Sequence, residues 1–233
     1  MLKILFAFVL VFFSHFCASQ LRNVRLVNHA GYLISVVQAT VSVLEERGWC
    51  NLKIPDIEQN INETIYDRES LGTVTYKNGF VVSIQHVDIQ QSTVQQVWSR
   101  TNQGQVDVQG RFRMHNVVIG FDVLANINAE EYRYTGTFTH PLVNFEFSIV
   151  RDLNVYTTNA SVRAVIPNPP NANMVNFAPR DNITDVLNAM YVRTSTIPGM
   201  VAWGPDVFTP IVNDIVNNKI EFATVCYNCV VTP

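Results

Sequence analysis

Near the C-terminus of this 233-residue chain stands Cys226-Tyr227-Asn228-Cys229, a C-x-x-C with four residues after it. A redox motif of this kind belongs at the start of a helix, where the helix dipole lowers the thiol pKa. Here it follows a helical pattern and has no βαβ setting. Structural zinc needs a second such pair, and there is none. The histidines His29, His86, His115 and His140 are scattered, with no HxH or HExxH spacing. No G-x-S-x-G, P-loop or GxGxxG is present. Glu45-Glu46 and Glu130-Glu131 are adjacent carboxylates, whose side chains point apart on a helix or a strand. These residues read as non-catalytic, with no metal and no cofactor. An esterase built from serine and histidine distant in sequence stays open as an alternative.

Composition narrows the partners. Hydrophobic residues make up 48% of the chain and charged ones 15%, with a formal charge of −3. That is enough apolar material for a large core and no basic footprint for a phosphate backbone, so nucleic acid is excluded as a partner. Lys3 precedes an apolar run from Ile4 to Phe13, and Cys17-Ala18-Ser19 follow. This is the layout of a secretory signal peptide over residues 1–19. The run is too short for a membrane span, and no later segment is apolar enough for one. The sequons at Asn62, Asn159 and Asn182 then become glycosylation sites on a secreted, extracellular protein. Cys17 departs with the signal. Cys50, Cys226 and Cys229 remain, an odd number that implies one bridge and one left-over thiol.

The elements that would position any site are plain in the pattern. Val24, Val27, Ala30, Ile34, Val37, Val41 and Leu44 recur at steps of three and four, which predicts an N-terminal helix within 20–48. Gly48 is its expected stop. The period then changes to two. Val106, Val108, Phe112 and Met114 alternate with polar residues, as do Ile119, Phe121 and Val123, then Val143, Phe145, Phe147 and Ile149. Val155, Val162 and Ala164 read as a last strand. Long strands with no helix between them predict an antiparallel meander over 70–166. Asn78-Gly79 marks either a hairpin turn or an irregularity in one long strand. Pro167 to Met174 closes the strand region. Helices follow over 181–223, with Asp181 as N-cap and breaks at Pro198-Gly199 and Gly204-Pro205. Residues 20–233 form one α+β domain in this reading.

The segment Leu52-Lys53-Ile54-Pro55-Asp56, just after an amphipathic helix, resembles the group 7 mite allergens. Those proteins belong to the tubular lipid-binding superfamily, with the bactericidal/permeability-increasing and juvenile-hormone-binding proteins. The stretches GTVTYKNGFVVSIQHVDI and GRFRMHNVVIGFDVLANI extend the resemblance. It implies a long curved antiparallel sheet wrapped around the terminal helices, with an elongated apolar space for a lipid-like molecule. The expected function is that of a secreted, allergen-like lipid carrier or sensor of innate immunity. The alternative is a surface-recognition protein that docks microbial lipids or a protein partner without an internal cavity. Candidate wall residues are Val37, Val41, Phe112, Phe121, Phe145, Phe147, Leu187 and Phe208, although the same pattern serves a plain core. Because both chain ends should meet at the sheet, Cys50 is expected to bridge to Cys229 or Cys226.

Overall fold

A computed structural model of the chain describes residues 24–229, apart from 50, 66, 67, 100, 102, 103 and 228. The expected signal segment and Cys50 therefore lie outside the described residues. The chain falls into two compact units, His29–Phe222 and a smaller unit made of the two chain ends.

In the larger unit, β-branched and aromatic residues at alternate positions build two strands of 23 residues, β6 (Gln105–Ile127) and β7 (Glu130–Asp152). They pair antiparallel in constant register from Gln105↔Asp152 to Ile127↔Glu130. Asn128 and Ala129 join them with φ of 52° and 67°, the positive values a two-residue hairpin turn requires. β4 (Arg68–Ser83) and β5 (His86–Trp98) lie end to end along the other edge of β6. β8 (Thr157–Val165) and β9 (Asn176–Ala178) share the free edge of β7. The long strands thus form the expected meander. Asn78-Gly79 proves to be an irregularity inside β4, where the register against β6 shifts between Lys77 and Phe80.

Three details differ from the expectation. β3 (Ile57–Ile65) folds back on β4 as an edge strand, ahead of the 70–166 over which the sequence predicts the meander. Its residues Glu58, Asn60, Asn62 and Glu63 are exposed around a fully buried Ile61, so alternation is too weak to announce it. β2 (Lys53–Ile54) adds two residues to β4. Val155 is 64% exposed in the turn before β8 rather than part of a strand.

Buried residues alternate along one face of the sheet, and the alternation changes phase at a single level. On β6 it runs Val106, Val108, Phe112, Met114 and then Val117, Ile119, Phe121; on β7 it runs Tyr134, Phe138, His140 and then Val143, Phe145, Phe147. Both strands slip by one residue at the same rung, at Asn116 (φ 48°) and Pro141. The gap between β4 and β5 falls there as well, since Ser83 pairs with Val118 and His86 with His115. Gln85 N–H donates to the His115 carbonyl at 3.0 Å, and the Asn116 and Gln85 side chains bond each other. A crease therefore crosses the sheet.

Helices cover the buried face. α1 (His29–Glu46) ends in a Schellman cap, with Gly48 N–H donating to Glu45 O and Trp49 N–H to Leu44 O. Gly110 of β6 leaves room for Leu33, whose Cδ2 would stand 2.3 Å from any added Cβ. Asp181 caps α2 (Asn182–Met190) in a capping box with Thr184, as its position suggested. α3 (Ile197–Trp203), a π-helical turn (Gly204–Phe208) and α4 (Thr209–Asn218) follow without interruption. Pro198 stands in the first turn of α3, where no amide donor is needed, and Pro210 follows directly on the wide turn. The wide turn carries Pro205 through the helix, so Gly204-Pro205 does not open a separate one. Gly204 lies against the β8 backbone, where a Cβ would meet Val162 O at 2.7 Å and Ala164 N at 2.8 Å. Gly199 lies likewise against Ile54 and Pro55, and Trp203 Nε1–H donates to Lys53 O at 2.7 Å. The segment Leu52–Asp56 is thus the seat of the C-terminal helix on the sheet edge.

In the smaller unit, β1 (Val24–Leu26) pairs antiparallel with β10 (Val225–Tyr227), in register Val24↔Tyr227 to Leu26↔Val225. Residues 24–26, expected to open the first helix, are therefore strand. Asn28, at φ 52°, separates them from α1. The two chain ends meet as expected, through a hydrogen-bonded ladder. Cys226 and Cys229 are joined to each other, with Cα atoms 5.8 Å apart. Both expected partners of Cys50 are thereby taken. Closing a three-residue separation costs far less chain entropy than closing one of some 180 residues, which favours the local bridge.

Candidate functional site

Four of the eight expected wall residues converge. Phe112 and Phe145 stack with ring centroids 4.8 Å apart, Phe147 meets Phe112 edge-on at 5.5 Å, and Phe208 of the π turn closes on Phe145 at 4.3 Å. Rings this close leave no room for a ligand between them, so these residues form packed core. Phe121 packs elsewhere, edge-on to Tyr76 at 5.8 Å. Val37 is buried on α1 and Leu187 on α2.

Val41 is placed differently, half-buried on α1, where the helix runs beside β5. An open groove of about 620 Å³ lies between them. Val41, Trp49, Ile84, Val87 and Ile89 supply its apolar wall, with Gln38, Ser42, Glu45, Gln85 and His86 as polar rim. The Schellman cap sets Trp49, at φ 60°, at one end of the groove. The crease sets Ile84 in the break between β4 and β5. Apolar and polar side chains share this lining evenly, an arrangement that suits an amphiphile.

A second groove, about 600 Å³, is lined by Ser92, Gln95, Gln109, Arg111, Glu146, Ser148 and Arg163 among others. Arg111 and Arg163 both bond Glu146, whose carboxyl is held below its usual pKa by the Arg163 bond foremost. An apolar molecule there would strip water from three charges, so this groove suits polar contacts.

The outer face also holds a constellation that the sequence hid. His86 of β5 and His115 of β6 are direct cross-strand partners, their rings stacked at 4.1 Å and 5° apart. Asp88 Oδ2 lies 2.9 Å from His115 Nε2 and 3.0 Å from Arg113 Nη2, and Asp88 Oδ1 accepts from Arg113 Nε at 3.2 Å. Partial burial pulls the Asp88 carboxyl upward, but the bonds from Arg113 and His115 outweigh it and hold it below the usual range. The sequence showed isolated histidines because 29 residues separate this pair, which only the β5–β6 register unites.

His140 differs from these. It is fully buried, with Nε2 2.6 Å from Thr196 Oγ1, and burial pushes its pKa down to about 4. It is a neutral core residue. The sequon residues Asn62 on β3, Asn159 on β8 and Asn182 at the start of α2 are all exposed.

No family model and no curated protein matches the chain. A lipopolysaccharide binding protein of solved structure is similar over 84% of this chain, with a TM-score of 0.50 and 9% identity. The match spans 40% of that protein's length. At this identity the likeness is one of fold. It agrees with a curved antiparallel sheet and covering helices, and does not single out the group 7 mite allergens. Among the described residues no helix is long and apolar enough to cross a membrane.

Proposed function

We propose that the chain binds a lipid or another hydrophobic small molecule in the groove between α1 and β5, without chemistry on it. The observation that supports this is an open groove of about 620 Å³, walled by Val41, Trp49, Ile84, Val87 and Ile89 and rimmed by polar side chains, beside a core whose aromatic rings are already packed. The fold shared with a lipopolysaccharide binding protein points the same way. Binding would rest on burial of apolar ligand surface, worth roughly 25 cal/mol per Å² before ordering costs. The acyl chain lies along Val41, Val87 and Ile89, and its polar head reaches the rim at Gln38, Ser42 and Glu45. Microbial lipids fall within this class. The signal layout over residues 1–19 and the exposed sequons Asn62, Asn159 and Asn182 support a secreted glycoprotein.

The test is a titration of secreted protein with a fluorescent fatty acid, alongside mass spectrometry of co-purified lipid. Saturable binding that is lost in Val41→Glu is the expected result. Absence of any bound or bindable lipid, or full binding by Val41→Glu, overturns the reading.

A further inference from the structure

The cluster of His86, Asp88 and His115 serves neither the groove's apolar wall nor the core. We propose that these three side chains bind a divalent transition-metal ion of the zinc, copper or nickel class. Two imidazoles and one carboxylate are a donor set of intermediate softness that suits these ions. Their donor atoms lie within 4.8 Å of one another. An ion about 2.1 Å from each donor needs them roughly 3 to 3.5 Å apart, so closure asks only for side-chain rotation.

The backbone is already in place. His86 faces His115 across the ladder, and Asp88 stands two residues beyond His86 on the same face. The parallel rings must splay for both lone pairs to meet at one point. His86 is exposed and has the room to do so. The ion takes Asp88 Oδ2, now bonded to His115, while Arg113 Nε keeps its bond to Oδ1 and orients the carboxylate from behind. The remaining coordination positions face solvent. The nearby Arg113 charge opposes a second cation, which sets the expected affinity in the micromolar range. None of the three ligands belongs to the core, and only His86 touches the groove while Asp88 and His115 lie outside its lining, so the site stands whether or not the groove takes a lipid.

Isothermal titration of the purified full-length chain with zinc chloride, repeated with copper and nickel salts, tests this. One ion per chain is expected, with at least about tenfold weaker binding in His86→Ala and in His115→Ala. His29→Ala serves as the unaffected control. Wild-type protein that binds none of the three ions, or a double His86→Ala, His115→Ala variant that binds as well as wild type, overturns the proposal. Fatty-acid binding by His115→Ala, whose side chain lies outside the groove lining, should be unchanged, which separates this outcome from the fate of the lipid reading.

Discussion

Asn213 of α4 holds both backbone groups of Ala160: its Oδ1 accepts from the Ala160 N–H at 2.9 Å and its Nδ2 donates to the Ala160 carbonyl at 2.8 Å. Thr209, one helical turn earlier, accepts from the Val162 N–H at 2.9 Å. Side chains of a helix thus take ladder groups in the middle of the free β8 edge, as a further strand would, and withhold them from another chain. Asn188 of α2 treats Val175 in the same way, with bonds of 2.8 and 3.0 Å.

Replacement of Asn213 by alanine strands both Ala160 groups in a part-buried place. A loss of about 1–3 kcal/mol is expected in urea unfolding, the cost of unsatisfied buried polar groups. Size-exclusion chromatography should also show concentration-dependent association through the opened β8 edge. An Asn213→Ala variant as stable and as monomeric as the wild type contradicts this account.

His140 makes stability depend on acidity. Burial depresses its folded pKa to about 4 from the usual 6.5 of histidine. Below about pH 6.5 the unfolded chain takes up a proton that the folded chain refuses, so stability falls as pH drops towards about 4 and is unaffected by this group above 6.5. The loss amounts to about 3 kcal/mol across that window. His140→Gln should flatten this segment of the curve when thermal unfolding is followed from pH 7 to pH 4.

Gly204 and Gly110 should respond unequally to alanine. A Cβ on Gly204 meets fixed β8 backbone at 2.7 and 2.8 Å, whereas one on Gly110 meets the end of the flexible Leu33 side chain and Val94 Cγ2 at 3.3 Å. Gly204→Ala is therefore expected to cost about 1–3 kcal/mol of overpacking, although helix propensity alone would favour alanine by up to about 1 kcal/mol. Gly110→Ala should cost less. Chemical denaturation of the two variants gives the ranking directly.

Groove and core should separate in mutants. Phe145→Ala removes a ring from the stacked cluster and should cost about 3–5 kcal/mol of stability while leaving fatty-acid affinity near wild type. Val41→Glu should do the reverse, with affinity lost and thermal stability little changed. Equal effects of the two on binding would merge the cluster with the ligand site.

The long strands were legible because alternation over ten or more residues has one physical cause, a sheet with one buried face. Val106 to Met114 and Val143 to Ile149 are buried as that pattern requires. β3 escaped notice because an edge strand buries little, and Ile61 carries its signal. Val24 to Leu26 satisfy a helical spacing as well as a strand, and pairing with Val225 to Tyr227 decided between them. Whether an aromatic stripe is wall or core depends on what stands opposite, and only the position of Phe208 settled it for Phe112 and Phe145. The His86–His115 pair rests on register, which no local pattern encodes.

The crease at Ile84-Gln85, Asn116 and Pro141 acts as a reading frame shared by three strands. Deletion of Asn116 alone would turn every residue on one side of it to the opposite face, because strand side chains alternate with period two. A length change there survives only if the neighbouring strands change with it. Insertion or deletion at this level is therefore hardly tolerated, and among homologues gaps should be absent from all of these strands here or present in all of them together.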